Sequence, residues 1–447
     1  MSNEHKTVQT AGTSAQLHDD RLRSTNNGAP TGPTVKLLRR KHRYDLARDR
    51  QYKNNLLWQV GFLELSNALD FPANVWNQIP TPLFAAVLMG LGGSVAILWS
   101  IFAFWDMHKS LANIRLLRSE RRFLKRWQRE VDTEDTLATS CLVQAYIDVN
   151  TRELGWEVID RVMLDVCSGI SGILVGTGAL MAIRGDIDEV FWVSNLLSGY
   201  IGNSFLAPFA LLNVFWAGFM WMRAGGESKE LVDGLAPFSH ELRSKVRRHG
   251  RKHRLYAVLN GATAVVGCVG SIMSATLWYG YVIIAPCVVA SVFANLLWRH
   301  RMGYDRDMIR RKDDIRGVDI LQTLNAIQLA IDAFTTGSIT ALPCFTLDDS
   351  ITANVAQFMK KACLYNSFCH ELSRRRPMSE KDESLDESII DHAYLCSVDN
   401  DMVIAAGTAA ITKDQRWLIY QERFLIEVYG RYSRVLEKES ALAKQET

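Results

Sequence analysis

A chain of 447 residues with 51 lysines and arginines against 48 acidic residues is nearly neutral, which excludes a protein that binds nucleic acid through bulk charge. Hydrophobic residues make up 48% of it, and they are gathered into uncharged blocks between Phe71 and Trp298 while both ends are polar, which excludes an ordinary soluble domain. Of the eight cysteines, Cys167, Cys268 and Cys287 fall in apolar blocks and the rest are scattered, so no disulfide framework is implied.

Residues 1–35 are polar and rich in Ser, Thr, Asn and Gly; they contain no apolar core of a secretory leader and read as a disordered tail. Residues 36–81 read as basic and interfacial segments. Lys36 to Lys53 forms a basic helical candidate. Leu56 to Phe71 carries Glu64 and Asp70, each costing up to ~3 kcal/mol at mid-bilayer. Gln59, Ser66, Asn67 and Asp70 cluster on one side of it, so the expected placement is a helix lying in the interface. Pro72, Pro80 and Pro82 set the entry into the first span.

Pro82 to Trp105 is apolar and long enough to cross a ~30 Å hydrocarbon core, and a basic run follows it directly. A second span is expected at about 166–183. Val190 to Met222 holds 33 uncharged residues, too many for one upright span; it divides at GYIGNS, Gly199 to Ser204, into a short interfacial or re-entrant segment and a third span at about 204–222. Leu255 to Trp298 is uncharged over 44 residues and suits a hairpin of spans at 255–277 and 280–298.

Cytoplasmic loops carry the excess of Lys and Arg. Residues 106–161 hold ten of them, residues 223–254 hold nine, and six follow between Arg299 and Lys312. Five spans place these basic regions in the cytosol, with Trp105, Trp221 and Trp298 anchoring that face and Trp192 and Trp278 the other. This leaves the basic run after Lys36 outside. The alternative is six crossings with a cytosolic N-terminus, in which the segment at Leu56 enters the membrane. The spans suit the plasma membrane or an internal one.

Residues 299–447 read as a cytosolic helical region. Ile320, Leu324, Ile327, Ile331 and Phe334 form one apolar stripe, and Val355, Phe358, Ala362, Tyr365, Cys369 and Leu372 form another. A third helix opens with a capping-box pattern at Thr412 to Gln415 and carries Leu418, Leu425, Tyr429, Tyr432 and Leu436. Ser379 to Ser388 reads as a linker.

Small residues recur every four positions in the spans: Ala86, Gly90 and Ser94; Ser168, Gly172 and Gly176; Thr263, Gly267, Ser271 and Ala275. Such ridges permit close helix approach, within one bundle or against a second copy or another membrane protein. The helix break supplies a candidate solute site, Gly199, Asn203, Pro208 and Asn213, because freed backbone groups in broken helices line transporter cavities. No acidic or basic residue lies deep in any expected span, which argues against an ion-coupled carrier. Arg121, Arg122, Lys125 and Arg126 after the first span, and Arg247, Arg248, Arg251 and Lys252 before the fourth, are candidate contacts for anionic lipids.

Cys363, Cys369, His370, His392 and Cys396 match no closed zinc spacing, and the phosphate-loop, HExxH, GxSxG and dinucleotide patterns are absent. No metal, cofactor or catalytic residue is therefore assigned, and a non-enzymatic protein is expected. LLWQVGFLELSNALDFPANVWNQIPTP, Leu56 to Pro82, with the span after it resembles a group of filamentous-fungal proteins described only as integral membrane proteins. That resemblance implies a fungal membrane protein and brings no activity or site residues. The expectation is an all-α multispanning bundle acting as a membrane-anchored interaction or scaffolding protein with a cytosolic protein partner; the alternative is a transporter or channel-like protein for a neutral or weakly polar solute.

Overall fold

The computed structural model describes residues 35–40, 43–46, 51–76, 81–134, 137–234, 240–312, 315, 319–346, 351–375, 387–390, 395 and 397–445. The expected disordered tail, His392, Cys396 and most of the linker beginning at Ser379 lie outside these residues.

In chain order the elements are β1 (Val35–Arg40), β2 (Arg43–Leu46), β3 (Gln51–Tyr52), a 3-10 turn Trp58–Phe62, α1 (Leu63–Ala68), α2 (Phe71–Val75) and α3 (Leu83–Glu134). Then come α4 (Leu137–Gly155), a π-helical stretch Trp156–Met163, α5 (Leu164–Met181), α6 (Asp188–Asn195), a second π-helical stretch Leu196–Ile201, α7 (Leu206–Gly234), α8 (His240–Ser274) and α9 (Gly280–Leu297) with a π-turn Trp298–Met302. The chain closes with β4 (Arg306–Asp307), α10 (Ile320–Thr336), α11 (Ile351–Lys361), α12 (Tyr365–Arg375), β5 (Glu387–Ile390), α13 (Asn400–Lys413) and α14 (Gln415–Gln445). The fold is essentially all-α, and five helical runs are long and apolar enough to cross a membrane: Leu83–Val131, Leu137–Arg184, Asp188–Ala224, Ser244–Ser274 and Gly280–Met302. Their outer faces expose large apolar side chains such as Leu91, Ile101, Phe215, Val258 and Val289.

Two compact units divide the chain, the larger made of residues 48–335, 361–363 and 415–447. Its helices approach closely at glycines. A Cβ on Gly176 would stand 2.6 Å from the carbonyl oxygen of Gly93, and one on Gly172 would stand 2.5 Å from Ser100 Oγ, so the ridge Ser168, Gly172 and Gly176 is spent on packing α5 against α3. Thr263, Gly267 and Ser271 are likewise buried, whereas Ser94 is exposed. At one end of the bundle Trp156 and Trp298 stack with ring centroids 3.9 Å apart, joined by Tyr256.

The segment Leu57 to Val75 departs from expectation. Leu57 N–H donates to Asp106 Oδ1 at 2.8 Å and its carbonyl accepts from Asn295 Nδ2 at 3.1 Å, at the ends of the apolar stretches of α3 and α9. Thirteen residues later, Asp70 Oδ1 accepts from Tyr281 at 2.8 Å, at the opposite end of α9. The segment therefore runs antiparallel to α9 through the bundle, and it buries Glu64, Ser66 and Asp70. The sequence suggested a helix in the interface because those groups are polar; internal donors satisfy them instead. The basic stretch before it is also not helical: β1, β2 and β3 occupy it, with β3 antiparallel to β4.

The 33-residue block does not divide into two separate segments. The chain stays helical from Asp188 and widens into a π-turn over Leu196–Ile201. Asn203 Nδ2 donates to the carbonyls of Ser198 and Gly199 at 3.3 and 3.0 Å, meeting acceptors that the π geometry displaces from their α-helical partners. The C-terminal helix α14 packs on α4 and α7 with Leu418, Leu425 and Val428 buried. Thr412 does not cap it: its Oγ1 donates to Thr408 O inside α13.

The smaller unit, residues 1–47, 336–360 and 364–414, contains a three-stranded antiparallel sheet of order β2-β1-β5 with Val35 opposite Ile390. Val355, Met359, Phe368, Leu372, Val403 and Ala410 fill its core. The stripe from Val355 to Leu372 is not one helix, because the chain breaks at Cys363, which adopts φ 58°. α13, which the sequence reading did not anticipate, brings Gly407 against Met359 and Phe345.

Candidate functional site

The interior of the larger unit holds a cavity of ≈ 50 Å³ whose lining includes Glu64, Asp160, Asn260, Thr263, Ser291 and Asn295. At roughly 10–15 Å³ per water, this is room for a few water molecules held by polar groups. Leu56, Val60, Trp156, Phe209 and Tyr256 supply its apolar walls.

Each polar group reaches the cavity for a local reason. Glu64 projects from α1 against Gly267 of α8, where a Cβ would stand 3.1 Å from Glu64 Oε2, a tight contact that the glycine avoids. The segment comes close enough because Gly61 lies against Asn295 and Val292 of α9. Asp160 sits in the π-helical stretch between α4 and α5, a geometry that re-aims side chains and recurs at functional sites. Its Oδ2 accepts from Trp216 Nε1 at 3.0 Å and its Oδ1 from Asn260 Nδ2 at 2.8 Å. Asp70, toward the far end, accepts from Tyr281 and Asn74. Among the described residues neither aspartate has an ion-pair partner.

Most of the other buried carboxylates are paired. Arg161 meets Asp106 and Glu157 at 2.9 Å each, with Ser110 and Asn113 also donating to Glu157. Asp165 faces this cluster, and both of its carboxylate oxygens are buried without a hydrogen-bond partner. Beyond the apolar zone Arg306 is held by Glu120 and Glu153. Arg152 is held by Glu427 through Nε–Oε1 at 2.8 Å and Nη2–Oε2 at 2.6 Å. Burial opposes ionisation of Glu427, but Arg152, His253 and Arg223 outweigh it and bring the carboxyl down to about 2. His249 and His253 stand with their Nε2 atoms 2.9 Å apart, and burial pushes His249 down to about 4.

The residues singled out from sequence fall in several places. Asn213 is buried and its Oδ1 accepts from Asn260 at 3.2 Å, so it stands one hydrogen bond behind the cavity. Asn203 ties the second π-turn to α8 through Ser271 O at 3.0 Å, Gly199 backs onto Ala275, and Pro208 is exposed on the outer face. These four do not converge. Arg122, Lys125, Arg126, Arg247, Arg248 and Arg251 are exposed, while Arg121 and Lys252 are half-buried. Cys369 is buried on α12 and His370 lies beside Glu371.

Asp160 and Arg161 were missed as interior groups, and Glu64 and Asp70 enter the membrane only in the six-crossing alternative; all four are buried outside the five spans expected from sequence. The available signal was the four-residue spacing of Glu157, Arg161 and Asp165 immediately before the second apolar stretch. No protein-family model matches the chain, and no curated protein or solved structure is similar to it.

Proposed function

We propose that the chain is a non-enzymatic, multi-pass membrane transport protein that moves protons, alone or with a small polar solute, through its interior. The observation that carries this reading is that Glu64 and Asp160, from separate elements, line one small, largely apolar-walled cavity among the helices. Ionisable side chains in a membrane interior are costly and are retained where they relay protons or bind ions. The reading takes Leu57–Val75 as a sixth crossing. The chain before Leu56 then shares a face with the three basic regions, as β3–β4 pairing also favours, and that face is cytosolic by the distribution of Lys and Arg.

A scaffold with a free cytosolic helix is less favoured, because the apolar face of α14 is buried within the same unit. The test uses full-length protein in liposomes containing a pH-sensitive dye. Wild-type protein is expected to dissipate an imposed pH gradient, and Asp160→Asn to slow it at least tenfold. Wild-type vesicles no faster than empty ones would end the proposal.

A further inference from the structure

We propose that the basic end of the bundle carries a site for the phosphate-bearing headgroup of an anionic lipid, built by Arg248 and Lys252 of α8, Arg301 of the turn after α9, and Arg423 of α14. These cations come from three segments far apart in the chain. Arg423 is fixed beside the turn because Nη1 donates to Gly303 O at 2.9 Å and Nη2 to His300 O at 3.0 Å. Arg248 stands one turn before Lys252 on α8; burial first, and then the charges of Arg423, Arg301 and Arg248, push the Lys252 ammonium below the ordinary value. The Glu422 carboxylate also acts on Lys252, and Lys245 engages it at 3.0 Å.

Setting membrane orientation requires positive charge near the span ends, but it does not require four cations to converge. Convergence of like charges raises the folded state's energy, and an anion bound among them offsets that. The position selects a lipid. Leu255 and Val258 on α8 are exposed apolar residues, and Arg254 lies 5.5 Å over the half-exposed Trp221 ring. Lys252 is therefore about 4.5 Å along the helix from the lipid-facing surface, within the depth of a headgroup layer. By the same rise, Arg121, Arg122, Lys125 and Arg126 stand about 24 to 32 Å past Trp105 along α3, beyond that layer. The site is independent of the transport reading.

The test is native mass spectrometry of the full-length protein in neutral detergent, titrated with dioctanoyl phosphatidic acid. At roughly fivefold per cation facing an anionic surface, Lys252→Gln with Arg301→Gln is expected to weaken binding about 30-fold. The charge-keeping pair Lys252→Arg with Arg301→Lys, and the distant pair Arg122→Gln with Lys125→Gln, are expected to bind as wild type does. Dioctanoyl phosphatidylcholine and inorganic phosphate are expected not to displace the ligand. Binding by the Lys252→Gln/Arg301→Gln protein within threefold of wild type, an equal loss in the distant pair, or displacement by inorganic phosphate at matched concentration would each overturn the proposal.

Discussion

Replacing Glu427 by glutamine isolates the contact that holds α14 to the bundle. Its carboxylate takes two hydrogen bonds from Arg152 and one from Tyr304, and Arg223 lies 4.0 Å away. The Arg152 and Arg223 side chains are only 3% and 7% exposed, so the substitution removes a carboxylate that faces buried positive charge. Breaking one side of a buried ion pair costs about 3–5 kcal/mol. Glutamine still accepts a hydrogen bond, which favours the lower end, or an opening equilibrium shifted more than a hundredfold at ~1.4 kcal/mol per decade. The assay is the rate at which a thiol reagent modifies a cysteine placed at the fully buried Val428 in an otherwise cysteine-free protein. Arg152→Leu with Glu427→Leu removes both charges of the closest pair and is expected to recover part of the loss, Arg223 still lacking the carboxylate. If Glu427→Gln raises the modification rate less than fivefold, the pair does not hold the helix and the reasoning fails.

Acidification acts on the same joint. With His249 held near 4 by burial, the unfolded state takes up a proton first as pH falls through ~6.5, so stability declines between ~6.5 and 4 by about 2–3 kcal/mol. His253, its hydrogen-bonded neighbour, is likewise lowered by burial, so His249→Gln with His253→Gln is expected to flatten thermal unfolding across that window. Glu427, near 2 when folded, stabilises fully above ~4.5 and loses its contribution below that pH, so the glutamine variant's deficit is expected to shrink toward pH 2. Gly176→Val drives a side chain onto the carbonyl of Gly93 and is expected to destabilise the protein by about 1–3 kcal/mol, read as a lower melting temperature in detergent. Asn213→Leu removes the acceptor that orients Asn260 toward Asp160; proton flux is expected to fall several-fold with abundance unchanged, and unchanged flux would detach Asn213 from the pathway.

The five apolar stretches were legible because a run of uncharged residues ending in Trp and Arg is dictated by the bilayer alone. The turn near Trp278 to Gly280 falls where the sequence placed it. The acidic interior was legible only as the six-crossing alternative. Glu64 and Asp70 resemble surface residues until Asn74 and Tyr281, the latter 211 positions downstream of Asp70, are seen to donate to Asp70 and Gly267 to make room for Glu64. Asp160 and Arg161 stood outside the expected second span because α4 and α5 join through a π-helical stretch that no hydropathy pattern marks. The basic stretch after Lys36 was read as a helical candidate, yet its strands pair with residues 306–307 and 387–390, a non-local choice that local composition does not encode.

The central claim, that an acid-bearing segment is itself one of the crossings, is tested most directly by single cysteines at Lys53 and Thr81, on either side of that segment. They are labelled with an impermeant reagent before and after permeabilisation, with Asp188 and Ser244 as references. The account predicts that Thr81 reacts together with Asp188 on one face and Lys53 together with Ser244 on the other. Lys53 and Thr81 reacting from the same face would contradict it, because Glu64 would then not cross the membrane interior and the proposed proton path would lose one of its two carboxylates.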